Sequence, residues 1–412
     1  MATRPRVKWA VAVAIVAATT LTVTPATAAR APAARLVTLT VPAPNGEIPS
    51  KWLSYPGPPR ADVLLPAGYD PHRRYPLLVL LNALANNYES YAVDGIVPMI
   101  EAAHLNAIVV MPEGGSGWYA DWRNDGKPGA PKWETYELDT VLPTVLARYP
   151  IRRQRRYHAI AGFSMGGLGA AYLGGRLPGY FGSVASLSGF VDTQYFAAIS
   201  NPVMGLLGGA TPKQDGLNPV YGPPSGFYAD GHNPTRLAAN LRHTRVFESS
   251  GTGVPSSAGV ANALAGDPNA TVADLYGSAL ELLIINEMSQ DYHRALVNAG
   301  VHVTYQRHAG GHDLPDFYNE FTAYLDWGPF KPAVNHARSW VNKTVARRGQ
   351  LWDVRYRFAR PPTSVVQFRR SGSTLSISAA GSRVALTTAG GCTLRTTTPA
   401  TVHLTARGCR AA

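Results

Sequence analysis

Cysteine is scarce in this chain, which carries two among 412 residues. Two cysteines are too few for a disulfide-dense scaffold and make a poor zinc site, because structural zinc usually has four Cys or His ligands. Charged residues are also few, at 16% against 45% hydrophobic, and the 40 glycines and 33 prolines follow no repeat. Disorder, collagen and coiled coil are therefore excluded, and the composition is that of an ordinary globular protein.

Long apolar runs are missing everywhere except near the N-terminus. There, three basic residues precede an apolar stretch at residues 9–23, and the sequence Pro-Ala-Thr-Ala follows. This order is typical of a secretory signal cleaved after Ala28, and about 15 apolar residues fall short of the roughly 20 that a membrane-spanning helix needs. Arginine outnumbers lysine 31 to 7, which is typical of a GC-rich genome. We expect residues 1–28 to be a Sec-type signal peptide of a Gram-positive bacterium, and the protein to be secreted or associated with the cell wall.

Acidic residues are almost missing from the last fifth of the chain. Residues 329–412 contain 14 Lys or Arg and one acid, Asp353, for a net charge of +13. The preceding residues carry 24 basic and 25 acidic side chains and are nearly neutral. Such asymmetry indicates two parts with different roles. We hypothesise that a basic domain at 329–412 holds the protein on an anionic polymer such as those of the cell wall, without specific nucleic-acid recognition, for which no motif is present.

Short apolar runs alternate with helix-period segments between residues 29 and 328. The alternation is typical of βαβ units and predicts an α/β domain with a mostly parallel sheet of about eight strands, flanked by helices. A Gly-, Pro- and Asn-rich stretch at residues 201–232 is expected to be a long irregular surface loop. The predicted strands are residues 37–41, 62–65, 77–81, 107–111, 157–161, 183–187, 246–249 and 301–306, and the predicted helices are 96–103, 133–147, 165–176, 274–298 and 317–325.

The pattern changes after Trp327, where Gly-Pro and Lys-Pro steps interrupt the chain. A basic stretch at residues 334–348 favours a helix, and five short Thr- and Val-rich runs follow, separated by Gly or Pro. Runs of this kind are typical of a small antiparallel β-sandwich. Cys392 and Cys409 both lie in this part and, in an exported protein, are expected to form a disulfide worth roughly 3 kcal/mol in the chain-entropy model.

A Gly-Phe-Ser-Met-Gly sequence at residues 162–166 matches the G-x-S-x-G pattern. A predicted strand precedes it and a predicted helix follows it, which is the setting of a nucleophile elbow. Glycine on both sides allows the strand and the helix to approach closely around a serine with strained backbone angles. The alternative is a Gly-rich helix start with an incidental serine. The context favours Ser164 as a nucleophile at the carboxyl edge of the sheet.

A serine hydroxyl needs a base to take its proton, and in an α/β-hydrolase fold that histidine follows the last strand. His308 and His312 both lie just past the predicted strand at 301–306. His312 is the better candidate, because it follows two glycines in a turn that could present an imidazole at the sheet edge. A metal site formed by His302, His308 and His312 is disfavoured, since their spacing matches no ligand motif.

The acid and the oxyanion hole are less closely specified. In the chain order serine, acid, histidine, the acid should lie between residue 249 and His312. Spacing does not choose among the acids there, because carboxylates along a helix usually form a solvated face. The oxyanion hole needs the N–H of Met165, after the nucleophile, and one N–H from the loop at residues 82–85. The candidate acids are Asp267, Asp274, Glu281, Glu287 and Asp291.

Five ordered segments carry a resemblance to a known family. With them, residues 36–328 resemble the secreted esterases of the α/β-hydrolase fold that include S-formylglutathione hydrolases, feruloyl esterases and the mycobacterial antigen 85 mycolyltransferases. A further segment at residues 62–71 is more similar to the general esterases. The five are Met-Pro-Glu-Gly-Gly at 111–115, Tyr-Ala-Asp-Trp at 119–122, Lys-Trp-Glu-Thr at 132–135, the elbow at 162–167 and Leu-Ser-Gly-Phe at 187–190.

The resemblance implies roles for further residues. In the mycolyltransferases the acid is a Glu at the start of the helix before the last strand, and Glu281 occupies that place. By the same match, the second oxyanion donor is the N–H of Leu84. An Asp and an Arg that contact trehalose in those enzymes are Asn82 and Ala85 here, and residues 313–317 replace an aromatic-rich segment. The resemblance therefore implies acyl-ester chemistry more strongly than any particular acceptor.

These features predict a secreted serine carboxylesterase. His312 would deprotonate Ser164, the N–H groups of Met165 and Leu84 would hold the oxyanion, Glu281 would orient His312, and water would release the acid from an acyl-enzyme. No metal or organic cofactor is expected. One alternative is an acyltransferase, in which a sugar or lipid hydroxyl replaces water. The other is a non-catalytic protein that binds the cell wall or matrix.

Overall fold

A computed structural model describes residues 33–254, 268–405 and 408–411 of the chain. The expected signal peptide at 1–28 and the candidate acid Asp267 lie outside the described residues. Within the described ranges, no helix combines the length and the apolar character that crossing a bilayer requires. The predicted domain limits, 1–28, 29–328 and 329–412, stay a prediction.

An eight-stranded sheet forms the centre of the larger part, in the order β1-β2-β4-β3-β5-β6-β7-β8. The β1/β2 and β2/β4 pairs are antiparallel, and all other neighbours are parallel. The prediction of an α/β-hydrolase fold with about eight mostly parallel strands is confirmed. Every residue of β3, β4 and β6 is buried, because helices cover both faces of the sheet. The strands are β1 (Arg35–Thr40), β2 (Arg60–Leu65), β3 (Leu77–Leu81), β4 (Ile108–Pro112), β5 (His158–Phe163), β6 (Ser183–Leu187), β7 (Arg245–Gly251) and β8 (His302–His308).

Helices pack on both faces of this sheet and enclose two apolar cores. Two further segments, Tyr136–Val141 and Glu281–Ile285, are π-helical. Short 3₁₀ turns lie at Pro44–Gly46, Ser50–Trp52, Asn124–Gly126, Arg155–Tyr157 and Ala238–Leu241. The α-helices are α1 (Ser90–Val93), α2 (Ile96–Ala102), α3 (Trp133–Thr135), α4 (Leu142–Arg148), α5 (Met165–Arg176), α6 (Ala197–Leu207), α7 (Pro212–Asp215), α8 (Phe227–Asp230), α9 (Pro268–Leu280), α10 (Asn286–Asn298) and α11 (Leu314–Trp327).

The stretch at residues 201–232 is more ordered than its composition predicts. Helix α6 runs into it despite Pro202, and α7 and α8 lie within it. The expectation of one long irregular loop is therefore wrong in part. Met204 is 1% exposed, and its carbonyl accepts a hydrogen bond of 2.9 Å from the indole of Trp118. Tertiary packing of this kind overrides the local preference of Gly and Pro for turns.

The C-terminal part consists of two antiparallel sheets, ordered β10-β11-β14-β15 and β17-β16-β13-β12-β9. The expected helix at residues 334–348 is wrong, because Ser339–Thr344 forms a strand whose residues are buried alternately. Two of its three buried residues, Asn342 and Thr344, are polar, so the strand period of two does not show as an apolar alternation in the sequence. The strands are β9 (Ser339–Thr344), β10 (Arg348–Leu351), β11 (Val354–Phe358), β12 (Val366–Ser371), β13 (Thr374–Ile377), β14 (Arg383–Thr388), β15 (Thr393–Thr397), β16 (Ala400–Thr405) and β17 (Gly408–Ala411).

Buried polar groups join the two parts. The guanidinium of Arg176 bonds Glu134 at 2.5 Å within the larger part and also donates to the hydroxyl of Tyr356 at 3.4 Å. The amide of Asn342 on β9 donates to the carbonyl of Gly175 at 3.0 Å. In the C-terminal part a disulfide joins the two cysteines, Cys392 and Cys409, whose Cα atoms are 6.0 Å apart.

Candidate active site

Ser164 lies in a sharp turn between β5 and α5. Its φ of 56° and ψ of −118° are strained for a residue with a side chain, as in a nucleophile elbow. A Cβ on Gly162 would lie 2.4 Å from the carbonyl carbon of Gly166, and a Cβ on Gly166 would lie 2.0 Å from the carbonyl oxygen of Leu81. Glycine is required at both positions, so that strand and helix can approach closely and leave the Ser164 hydroxyl at the carboxyl edge of the sheet.

The imidazole of His312 reaches Ser164 from the loop after β8. Its Nε2 lies 2.8 Å from Ser164 Oγ. The ring stacks on Phe163, with centroids 4.8 Å apart and an angle of 23° between the planes. The backbone N–H of His312 donates to the carbonyl of Gly277 on α9 at 3.0 Å. These contacts hold Nε2 where it can accept the hydroxyl proton.

Glu281 lies on the other side of His312, at the start of the π-helical segment. Its Oε2 accepts from His312 Nδ1 at 2.9 Å, and its side chain is 0% exposed. Its Oε1 accepts from the N–H of Gly251 at 2.8 Å and from the hydroxyl of Ser188 at 3.0 Å. Burial raises the pKa of Glu281, while its bond to His312 acts in the opposite direction. The structure thus brings Glu281, His312 and the elbow serine into one hydrogen-bonded row.

The other candidate acids lie elsewhere. Glu287 bonds Gln290 on the exposed side of α10, and Asp291 pairs with Arg294 on the same helix. Asp274 lies on α9. Of the candidate acids that the structure describes, Glu281 is the one bonded to His312.

The other candidate histidines do not approach Ser164. His302 and His308 occupy opposite ends of β8, and Nε2 of His308 lies 2.8 Å from Oε1 of Glu320 on α11. In the described part of the chain, no group of three or more His, Cys, Asp or Glu residues is arranged to hold a metal ion.

Met165 and Leu84 lie on the two elements that meet at the elbow. Met165 is the first residue of α5, and the N–H groups in the first turn of a helix have no acceptor within that helix. Leu84 lies in the loop that follows β3. This loop begins next to the serine turn, since a Cβ on Gly166 would lie 3.0 Å from the carbonyl oxygen of Asn82. Two N–H groups from these elements could therefore point to one oxygen.

Asn82 has a structural role that sequence reasoning missed. Its buried side chain accepts from the N–H of Gly114 at 2.9 Å and donates to the carbonyls of Gly115 and Asn86 at 3.0 and 3.1 Å. An amide can both donate and accept, whereas an ionised Asp can only accept. Asn82 therefore fixes the loop that carries Leu84. The sequence marked it only as a departure from the mycolyltransferases.

Ser188 and Glu320 were also missed, although both are buried behind the site. Ser188 follows β6 with a φ of 40°, which is unusual for a non-glycine residue. Leu-Ser-Gly-Phe at 187–190 carried the family resemblance, and this could have drawn attention to the serine. Glu320 falls within an amphipathic helix, where an acid is normally solvated, so the sequence offered no signal for it.

Exposed apolar side chains lie on both sides of the site. Helix α6 carries no charged residue. Trp118 connects this helix to the site, since its backbone N–H lies 3.4 Å from the sulfur of Met165 and its indole donates to the carbonyl of Met204 on α6. Helix α9 is bonded to the backbone of His312. The helices next to the site therefore expose apolar side chains. The exposed residues are Val203, Leu206 and Leu207 on α6 and Leu275, Tyr276, Leu282 and Leu283 on α9 and the π-helical segment.

The sheet and the serine elbow define an α/β-hydrolase. The Esterase family model matches residues 54–327, which is more than half of the chain. The chain therefore belongs to the Esterase family, and the family resemblance drawn from the sequence is confirmed.

Two mycobacterial proteins are similar in sequence. An esterase of Mycobacterium tuberculosis is 31% identical over 205 residues, which cover 47% of this chain and 43% of that protein. The diacylglycerol acyltransferase/mycolyltransferase Ag85B of Mycobacterium leprae is 32% identical over 163 residues, 37% of this chain and 48% of that protein. The chain spans less than half the length of both relatives. One of these relatives is named as an esterase and the other as an acyltransferase and mycolyltransferase.

Two solved structures are similar in fold. A ferulic acid esterase has a TM-score of 0.50 at 20% identity, covering 73% of this chain and 99% of that one. MPT51 of Mycobacterium tuberculosis has a TM-score of 0.52 at 20% identity, covering 72% and 98%. At this identity the likeness shows the α/β-hydrolase fold alone.

Proposed function

We propose that this protein is an exported serine carboxylesterase that acts through an acyl-enzyme. The observation that carries the proposal is a row of two hydrogen bonds. One joins Oε2 of Glu281 to Nδ1 of His312 at 2.9 Å, and the other joins Nε2 of His312 to Oγ of Ser164 at 2.8 Å. A serine at an elbow, a base within bonding distance and an acid that orients the base are the parts that acyl transfer requires.

The mechanism follows from these contacts. Nε2 of His312 takes the proton of Ser164 as Oγ forms a bond to the ester carbonyl carbon, and the carbonyl oxygen becomes an oxyanion between the N–H groups of Met165 and Leu84. Glu281 keeps Nδ1 protonated and stabilises the imidazolium. His312 then gives the proton to the leaving alcohol. Water, deprotonated by the same imidazole, cleaves the acyl-enzyme and restores the Ser164 hydroxyl.

The test is Ser164→Ala. We expect kcat for p-nitrophenyl acetate to fall by about 10⁴-fold or more, because among the described residues Ser164 provides the one hydroxyl bonded to His312. Labelling by a fluorophosphonate should be lost as well. The exposed Ser225→Ala is the matched control and should keep the wild-type rate. Activity and labelling that survive in Ser164→Ala would contradict the proposal and leave a non-catalytic binding protein as the alternative.

Acyl transfer is the second candidate, and the exposed apolar side chains on the helices next to the site favour it. Exposed Leu206, Leu207 and Leu283 would tolerate an apolar alcohol that competes with water for the acyl-enzyme. The Mycobacterium leprae relative is described as an acyltransferase. Product analysis decides between the two: a new ester formed when a long-chain alcohol is added indicates transfer, and free acid alone indicates hydrolysis.

Export and retention at an anionic surface complete the proposal. Residues 1–28 have the order of a signal peptide, and a secreted form beginning at Ala29 in N-terminal mass spectrometry would support it. The basic charge of residues 329–412 supports retention on an anionic polymer. Arg355, Arg357 and Arg369 are exposed on their strands and therefore available to such a polymer.

A further inference from the structure

A second carboxylate shares a hydroxyl with Glu281 behind the proposed triad. Ser188 Oγ lies 3.0 Å from Oε1 of Glu281 and 2.7 Å from Oε1 of Glu320. A hydroxyl has one proton, so Ser188 donates to only one carboxylate at a time. The side chains of Glu281 and Glu320 are 0% and 1% exposed. Two buried carboxylates this close do not both stay ionised without a nearby cation.

His308 is placed to be that cation. Its Nε2 lies 2.8 Å from Oε1 of Glu320, and its Nδ1 lies 2.9 Å from the carbonyl oxygen of Ala309. Both ring nitrogens face acceptors, and only the protonated imidazole donates from both. Burial on its own lowers the pKa of His308, but the bond to Glu320 outweighs it and raises that pKa to about 9. The ring is therefore charged at neutral pH.

We propose that His308 and Glu320 are positioning residues of the esterase site, in which protonated His308 neutralises Glu320 so that Glu281 remains ionised and directed at His312. Neither residue touches the reacting atoms. The inference rests on the proposed function, because it concerns the acid of that triad.

The charge of the cluster gives the physical reason. With His308 protonated, the two carboxylates and the neutral His312 carry a net charge of about −1, which becomes zero when His312 takes the Ser164 proton. Without a charge on His308 the net charge would be about −2. The two carboxylates would then bind a proton at neutral pH, whereas above pH 9 both would stay ionised and repel each other, which displaces Glu281 from His312. A proton on Glu281 removes the charge that stabilises the imidazolium.

The pH dependence follows from the groups around the cluster. Glu320 and Asp316 on α11 face His308, while His312, Glu320 and the Tyr305 hydroxyl lie around Glu281. Since the pKa of His308 in the folded protein is about 9, the cation is present below pH 9 and is lost as the pH rises through that value. The wild-type kcat is therefore expected to decline above about pH 9.

The experiment compares His308→Gln, Glu320→Gln and the double variant, using kcat for p-nitrophenyl acetate between pH 5 and 10. In His308→Gln we expect kcat at pH 7 to fall about tenfold and the acidic limb of the profile to move up by about one pH unit, because the carboxylate pair retains a proton. In the double variant one carboxylate is gone, so kcat should return to within about threefold of wild type. In Glu320→Gln the carboxylate that His308 neutralises is gone, so the decline of kcat near pH 9 should disappear from the profile.

Controls separate this positioning role from a structural one. His302→Gln changes an exposed histidine at the opposite end of β8 and should leave the profile unchanged. Circular dichroism checks the fold, and if His308→Gln does not fold, Glu320→Gln carries the test through the alkaline limb of its profile. A double variant no faster than His308→Gln, or an alkaline limb that persists in Glu320→Gln, would overturn the proposal. Activity that survives in Ser164→Ala would instead overturn the proposed function, so the two failures are distinguishable.

Discussion

The two parts of the chain differ in where their charged side chains lie. The larger part is nearly neutral but buries ionisable side chains together with their partners: Glu134 with Arg176, and Glu281 with His312. The C-terminal part carries +13, and most of the arginines that the structure describes there are exposed, as in the alternation of β11. Buried ionised groups interact strongly with their partners and so affect catalysis or stability, whereas solvent and salt screen exposed charges.

Buried carboxylates within the larger part also differ from one another. Burial alone raises the pKa of Glu134, but Arg176 and His232 outweigh it and lower that pKa to about 2. Burial raises the pKa of Glu281, and its imidazole partner does not reverse the direction. A full cation therefore fixes Glu134 as a structural anion, whereas Glu281 keeps a charge that responds to the protonation of His312.

The largest expected effect in this comparison is that of Glu281→Gln. We expect kcat to fall by about 10³ to 10⁴-fold, because an amide neither stabilises the imidazolium nor favours the tautomer with hydrogen on Nδ1. Steady-state kinetics with p-nitrophenyl acetate measures it. Glu287→Gln, the same substitution at an exposed position of α10, is the control and should match wild type. Equal rates for the two variants would remove Glu281 from the proposed triad.

Breaking the buried pair next to the C-terminal part should have the next largest effect. Arg176→Met leaves Glu134 without its closest cation, and the free energy of unfolding at pH 7 should fall by about 3 to 5 kcal/mol. Urea denaturation measures this change. The exposed Arg148→Met should change it by less than about 0.5 kcal/mol.

The same variant has a pH signature. The pKa of Glu134 is about 2 in the folded protein and 4.5 as its ordinary value, so its contribution is present above pH 4.5 and lost as the pH falls through about 2. The stability difference between wild type and Arg176→Met should therefore shrink over that interval. A difference independent of pH would show that the packing of the Arg176 side chain, not its ion pair with Glu134, provides the stability.

The sequence predicted most of the sheet, and Ser164 and His312 as candidate site residues, because each of these features has a local signal. Strand composition, the glycines around Ser164 and the two glycines before His312 can each be read over a few residues. Glu281 needed the family resemblance, since nothing local separates it from four other acids. Ser188, Glu320 and Asn82 depend on contacts between residues far apart in the chain, so no local pattern predicts them. Strand β9 was missed because two of its three buried residues, Asn342 and Thr344, are polar, so its period of two does not show as an apolar alternation.

The smallest effect is expected where the charge is greatest. Replacing Arg355, Arg357 and Arg369 together by Gln removes three exposed charges from the C-terminal part. The unfolding free energy should change by less than about 0.5 kcal/mol and kcat should stay the same, because solvent screens these side chains.

Retention on phosphocellulose, an immobilised anionic polymer, should nevertheless weaken in this triple variant, so that it elutes at lower salt than wild type. The matched control replaces exposed Arg73, Arg153 and Arg236 of the larger part by Gln, which gives the same change in net charge in the other region. If the C-terminal part forms the anionic-polymer surface, only the first variant elutes early. Equal shifts for both would mean that net charge alone governs retention, and the division of roles between the two parts would then be wrong.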